Sequence, residues 1–397
     1  MEFLDVIDTI QAEEASVQRL FAGEGARVRN GHRGPDYARR LTETAKFVAE
    51  IYEGRRPLYH LREALGTADF PLLFGDVIDR QLLARYAETQ PTYTKYCKVD
   101  RTIPDFRTVK RFAIDGSEAV LPAVGQLEEY PESKLSDTVY SYTVGKFGRK
   151  VPLMWESIIN DDLGAFRDLP DRLARAARRS EEKFATQLFV DANGPHASFY
   201  TVGNANKINP TNAGGNFTVV NPALSITGLQ EGFAVLANQK DVDGEPIEID
   251  AVHLVVPPAL EVVALNILHA TELWIVGDGG GGTANQQVHV ANWMRNRLTL
   301  SVNYYIPLVA TTNGNTSWFL IADPASGRPA LEMGFLRGHD TPEIFMKEAN
   351  SIRVGGGSID PSQGDFEADA VTYKIRHVFG GAREDFRVTA ASNGANA

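Results

Sequence analysis

Residues Gly277-Asp278-Gly279-Gly280-Gly281-Gly282 are the stretch of this chain nearest in character to a phosphate-binding loop. A phosphate loop needs Gly-Lys-Ser/Thr after its spacer, because the lysine reaches the phosphates and the hydroxyl holds the magnesium; here Thr283-Ala284 follows, so the stretch reads as a flexible loop tip. The histidines (His32, His60, His196, His253, His269, His289, His339 and His377) have no metal-ligand spacing and none belongs to a His-Glu-x-x-His pair. His253 and His377 read as strand residues. No Gly-x-Ser-x-Gly elbow marks a nucleophile, and Asp161 and Asp162 sit where a helix N-terminus favours negative charge. The lone cysteine, Cys97, reads as a small core or interface residue and fits a reducing compartment. These residues point to no enzyme, no catalytic or metal site and no cofactor.

The element that organises the chain is the stretch Trp155–Asn193. Leu169, Leu173, Ala177, Ser180, Phe184 and Leu188 recur at helical spacing, and Arg172, Arg175, Arg178, Arg179, Glu182 and Lys183 occupy the other faces. Pro170 suits only a first turn, so the spacing predicts a helix over 170–192 after a lead-in turn at Asp161–Arg167, stopped by Asn193-Gly194-Pro195. Such a helix would be roughly 33 Å long.

The 397 residues, 43% hydrophobic and 23% charged, are enough for two or three cooperating units of ordinary globular composition. A net charge of −11 argues against a surface devoted to nucleic acid. The N-terminus lacks the basic-then-apolar pattern of a secretory signal, and no apolar run is long enough to cross a bilayer, so a soluble protein with no membrane partner is expected.

Residues 1–66 read as arginine-rich helices with weak apolar faces, and 69–96 as an apolar and aromatic knot with a helix near Gly75–Tyr86. From Cys97 to Met154 the pattern changes to strands, TVKRFAI, AVLPAV and VYSYTVGKFGRKVPL. They form a long hairpin with too little apolar material to fold on itself, which must lie on a neighbour. Beyond the long helix, a helix at Ile226–Gln239, a buried-type strand at Ala251–Val256, a Pro-opened helix at Ala259–His269 and strands at Leu298–Val302 and Trp318–Ile321 make a small α/β unit. Strand patterns return at 328–348 and 366–390, where Val371, Tyr373, Ile375 and His377 alternate.

Several words in order carry a family resemblance. They are Asn160-Asp161-Asp162-Leu163-Gly164-Ala165-Phe166, then Gln239-Lys240-Asp241 with Asp243-Gly244 and Pro246, then Leu254-Val255-Val256-Pro257-Pro258-Ala259-Leu260-Glu261. Trp318-Phe319-Leu320-Ile321-Ala322-Asp323-Pro324 follows, and Lys374-Ile375-Arg376-His377, Phe379-Gly380 and Asp385-Phe386-Arg387 close the series. Over about residues 150–390 the chain resembles the major head (capsid) proteins of tailed bacteriophages, specifically those similar to the Mu-like major head subunit.

The resemblance implies an α+β fold of the Hong Kong 97 type. Residues 1–97 would be an N-terminal arm and helical extension, 98–154 an extended E-loop, 155–221 a peripheral (P) domain with the long helix as its spine, 222–324 an axial (A) domain, and 325–397 the return strands of the P domain. It implies pentamers and hexamers of one chain in the head of a double-stranded DNA phage, assembled in the bacterial host cytoplasm. Scaffold, portal and decoration proteins would be further partners, and the packaged DNA would be touched without sequence preference.

Within that picture Lys110, Arg111, Glu128, Glu129, Lys146, Arg149 and Lys150 are expected to pair between subunits, each exposed pair contributing about 0–1 kcal/mol. Gly279, Gly280, Gly281 and Gly282 would crowd near a capsomer axis. Arg33, Arg39, Arg40, Arg172, Arg175 and Arg179 are candidates to face DNA; the competing reading of the long helix is a solvated face with ion pairs to Glu181 and Glu182. Some relatives join a hairpin lysine to an asparagine, but the spacing around Lys146 and Lys150 identifies no partner, and no crosslink is expected. The rivals are an encapsulin-type compartment shell on the same fold and, from another class, a β-rich hydrolase or binding module with a helical arm.

Overall fold

The computed structural model of the chain describes residues 82–88, 90–115, 136–154, 163–209, 220–249, 252–277, 286–295, 297–347 and 370–395, with isolated positions at 47, 50, 55, 123, 124 and 126. The arm arginines Arg33, Arg39 and Arg40, the glycines 279–282, Glu128, Glu129, Asp161 and Asp162 lie outside the described residues.

In chain order, a 3-10 turn at Tyr93–Lys95 precedes β1 (Lys98–Ile103), β2 (Val109–Asp115), β3 (Ser136–Tyr142) and β4 (Gly145–Met154). Helix α1 (Leu163–Phe189) leads into a small hairpin of β5 (Val190–Asp191) and β6 (Gly194–Pro195), then α2 (Ile226–Ala237), β7 (Val252–Val256), α3 (Glu261–His269), β8 (Glu272–Gly277) and β9 (Gln286–Ala291). Strand β10 (Leu298–Val302), the short α4 (Ile306–Val309), β11 (Trp318–Ala322), β12 (Leu331–Leu336), β13 (Glu343–Met346), β14 (Ala370–Arg383) and β15 (Thr389–Ser392) complete the series. The described residues mix helices and strands, as an α+β reading expects.

The chain divides into two compact units, one of residues 1–90, 146–178 and 341–378, the other of 91–145, 179–340 and 379–397. In the first, β13 pairs antiparallel with the 373–376 stretch of β14. Tyr373 and Ile375 alternate inward and join Leu173, Ala174 and Ala177 of α1 with Leu82 and Tyr86 in one core. His377 is buried on the same strand face, edge-on to the Tyr86 ring at 5.9 Å.

The second unit is built on a four-stranded sheet of order β10-β7-β11-β15, parallel between β10 and β7 and antiparallel elsewhere. Both faces of this sheet are covered, which is why β7 and β11 read as continuous apolar runs. Val252, Leu254, Trp318, Leu320 and Ala390 enter one core, which includes residues of α2 and α3. Val255, Phe319, Ile321 and Ala391 enter the other, beside Tyr93, Tyr96, Ala185 and Phe189. Ser225 caps α2 by accepting from the Gly228 N–H at 3.0 Å. The α/β unit expected from the sequence is present, and its fourth strand comes from the chain's end: of residues 325–397, β12 and β14 pair with each other while β15 joins β11. The sequence did not anticipate β8 and β9, a hairpin whose strands flank the glycine-rich connection.

Helix α1 corrects the sequence reading in three ways. It begins at Leu163, so Pro170 is its eighth residue rather than part of its first turn. The proline removes one ladder bond, a cost of about 3 kcal/mol that the rest of a 27-residue helix absorbs. It ends at Phe189, where the chain turns into β5 and β6 before the expected stop. The buried stripe is also rotated: Ser180 is exposed, while Glu181 and Glu182, expected on a solvated face, are buried. Glu182 accepts from the Thr92 N–H, from the Thr92 hydroxyl at 3.1 Å and from the Tyr93 N–H at 3.3 Å, and Glu181 accepts from the Tyr93 hydroxyl at 2.9 Å. The two acids are buried because they satisfy the donors of the 3-10 turn.

Candidate intersubunit surface

The hairpin of β2 and β3 runs in register from Val109 opposite Tyr142 to Asp115 opposite Ser136. Its root is fixed by a cluster of charge. Glu332, a single acid in the apolar strand LEMGFL, is completely buried. The Arg111 Nε of β2 donates to its Oε1 at 2.9 Å, the Tyr142 hydroxyl of β3 donates to the same oxygen, and Lys98 Nζ of β1 lies 3.6 Å from Oε2. Arg111 also pairs with Asp100 of β1. Burial works against the Glu332 charge, but the groups that donate to it, from Glu384, Tyr142 and Arg111, hold its carboxyl below the usual range. Burial and the neighbouring Glu332 push Glu384 up to about 8, and burial with the bond to Glu332 pushes the Tyr142 hydroxyl up.

Two glycines allow the root to pack this closely. A Cβ on Gly334 would stand 2.5 Å from the Tyr142 hydroxyl oxygen, and one on Gly380 would stand 2.3 Å from the Thr143 carbonyl oxygen. Phe112 and Val139, directly opposite one another across the strands, are 65% and 47% exposed.

The expected contact residues divide accordingly. Lys110 is exposed on β2. Arg111 is turned to its own chain, because Glu332 and Asp100 are within reach. In the other unit, Lys146, Arg149 and Lys150 of β4 line a shallow hollow of about 350 Å3 with Lys374 and Arg376 of β14. Arg376 pairs with Glu343 at 2.5 Å, and Lys374 Nζ sits 4.7 Å from the centre of the Phe345 ring. Arg172, Arg175 and Arg179 are exposed along α1, whereas Arg178 lies over the Tyr86 ring and donates to the Tyr86 carbonyl at 2.7 and 2.9 Å.

The sequence reading singled out neither the exposed Phe112 and Val139 nor Glu332 and Tyr142 at the hairpin's root. A lone acid inside an apolar strand was the available signal for the latter, since such a group must find donors. Cys97 is buried, and burial pushes its thiol well up, as suits a core residue. His253 Nε2 lies 3.3 Å from Asp323 Oδ2. Among the described residues no group of His, Cys, Asp and Glu side chains is placed to hold a metal, and no helix is long and apolar enough to cross a membrane.

No curated protein matches the chain. Among solved structures it is similar to a chain of Gordonia phage Cozz at 14% identity, over 76% of this chain and 84% of that one, with a TM-score of 0.40. It is similar to a chain of the bacteriophage JBD30 procapsid at 12% identity, over 82% and 75%, with a TM-score of 0.38. A virus-like particle from Pyrococcus furiosus aligns at 9% identity over 80% and 99%, with a TM-score of 0.39. The sequence profile of the family described as phage capsid protein matches residues 138–391, well over half of the chain. The chain belongs to the phage capsid protein family.

Proposed function

We propose that this chain is the major capsid subunit of a tailed double-stranded DNA phage, with a fold of the Hong Kong 97 type, and that many copies form pentamers and hexamers of an icosahedral head around the genome. The observation that carries this reading beyond family membership is the β2–β3 hairpin: anchored through Arg111 and Tyr142 at its root, it carries the exposed apolar pair Phe112 and Val139. An apolar pair on an extended hairpin is stable surface for a shell subunit when a second copy covers it. Lys110, Lys146, Arg149 and Lys150 would add pairs between copies, and their value lies in number and register, because each exposed pair is weak. Arg172, Arg175 and Arg179 would neutralise phosphates without reading sequence.

Electron microscopy of the expressed protein tests this. Rings or closed shells are expected, and a monodisperse small particle would overturn the reading. Nuclease-protected DNA in shells purified from phage-producing cells is expected for a genome container, and its replacement by a protein cargo would indicate a cellular compartment instead. A boiled denaturing gel should show one band near the chain mass of 43.6 kDa, because the subunits hold together without covalent links.

A further inference from the structure

The carboxyl pair beneath the hairpin is not needed for a contact surface, and it is chemically unusual. Among the described residues no N–H or hydroxyl donates to the buried oxygens Glu332 Oε2 and Glu384 Oε1, and Glu384 lies two residues beyond Ala382, the β14 residue paired with Glu332, so the two side chains share one face of that ladder. Two carboxylates so placed cannot both ionise without a large cost, whereas one proton between them satisfies both oxygens. The surroundings favour a single negative charge on Glu332. Lys98 and Asp100 face the pair from β1, Arg111 from β2 and Tyr142 from β3. With Glu332 and Glu384 these groups comprise two cations, three acids and a phenol.

We propose that Glu332 and Glu384 form a proton-dependent latch for the hairpin: while Glu384 keeps its proton and donates it to Glu332, the Glu332 charge ties β2 and β3 to β12, and loss of that proton to solvent releases the root. Ionised Glu384 adds a second negative charge beside Glu332. The pair then repels, and Arg111 and Lys98 are drawn between two acids, away from the geometry that holds the hairpin. The tight packing at Gly334 and Gly380 makes the response discrete, because the root has no slack in which to relax gradually. The latch uses only contacts within one chain, so it stands apart from the assembly reading.

Hydrogen–deuterium exchange of the full chain between pH 6 and pH 9.5, corrected for intrinsic exchange, tests the latch. Protection of residues 109–115 and 136–142 should fall by about tenfold or more as pH rises from 6 to 8 and level off above it, while protection of β7 and β11 holds. Glu384→Gln keeps a donor but cannot ionise, and its hairpin protection should stay level across the range. Level protection in the unaltered chain, or the same fall in Glu384→Gln, would overturn the latch. If that variant does not fold, infrared spectroscopy of the unaltered chain replaces it: a protonated-carboxyl band that disappears near pH 8 is expected, and absence of any such band at pH 7 sinks the proposal. Shells with a pH-insensitive hairpin would refute the latch and leave the capsid reading intact; a pH-sensitive hairpin on a chain that never assembles would do the reverse.

Discussion

Phe112 and Val139 face each other across β2 and β3, and both are exposed. Replacing both with serine removes apolar surface that is already wet, so the fold should change by no more than about 0.5 kcal/mol. Assembly should suffer instead. Sedimentation of the double variant should show a marked shift from shells to free subunits, with its denaturation midpoint unchanged; normal shells would discount this hairpin face as a contact.

Gly334→Ala places a methyl group against Tyr142 and Ile103. Relief requires the Tyr142 ring, and with it the end of β3, to move off β12. The expected loss is about 1–3 kcal/mol in urea denaturation, accompanied by weaker exchange protection in β3.

Glu182→Ala leaves the N–H groups of Thr92 and Tyr93 without their acceptor in a largely buried site. The expected destabilisation is about 2–4 kcal/mol. Glu182→Gln should recover most of it, because the amide oxygen still accepts. Burial raises the Glu182 carboxyl above the usual range, so the glutamine variant should also gain relative to the unaltered chain as pH rises through that carboxyl's titration.

The carboxyl pair predicts opposite limbs of the stability profile. Glu384 is raised to about 8 from an ordinary 4.5, so the folded chain holds its proton more tightly than the unfolded one. The stabilisation from that proton is complete below the ordinary value and is lost as pH climbs towards 8. Glu332 is lowered, so its contribution is present above the ordinary value and is lost as pH falls through its folded titration. One proton gives a slope of at most about 1.4 kcal/mol per pH unit. Denaturation midpoints of Glu384→Gln should decline less than those of the unaltered chain between pH 5 and pH 8, and equal declines would count against the assignment to Glu384.

Leu254 of β7 is fully buried between Trp318 and the helices that cover its sheet face. Leu254→Ala should cost about 2–5 kcal/mol in thermal or urea unfolding, from lost transfer energy and the cavity left behind.

By itself the sequence determined the elements whose signals are local. The run Leu254-Val255-Val256, the stripe along α1 and the alternation of Tyr373, Ile375 and His377 follow from apolar spacing, and the structure places strands and a helix there. It also located the family, because that likeness resides in short words of sequence. Tertiary structure alone decided which polar residues leave solvent. Glu181 and Glu182 look like helix surface until the Thr92–Tyr93 turn arrives with donors to satisfy, and Glu332 becomes the hairpin's anchor only where β1, β2 and β3 bring Lys98, Arg111 and Tyr142 to it. The partners are 88 or more positions apart in the chain, and no local pattern encodes such a pairing. The start of α1 was misjudged for the same reason, since the cost of Pro170 is local while the packing that outweighs it comes from Leu173, Ala174, Ala177, Ala185 and Phe189 further along the helix.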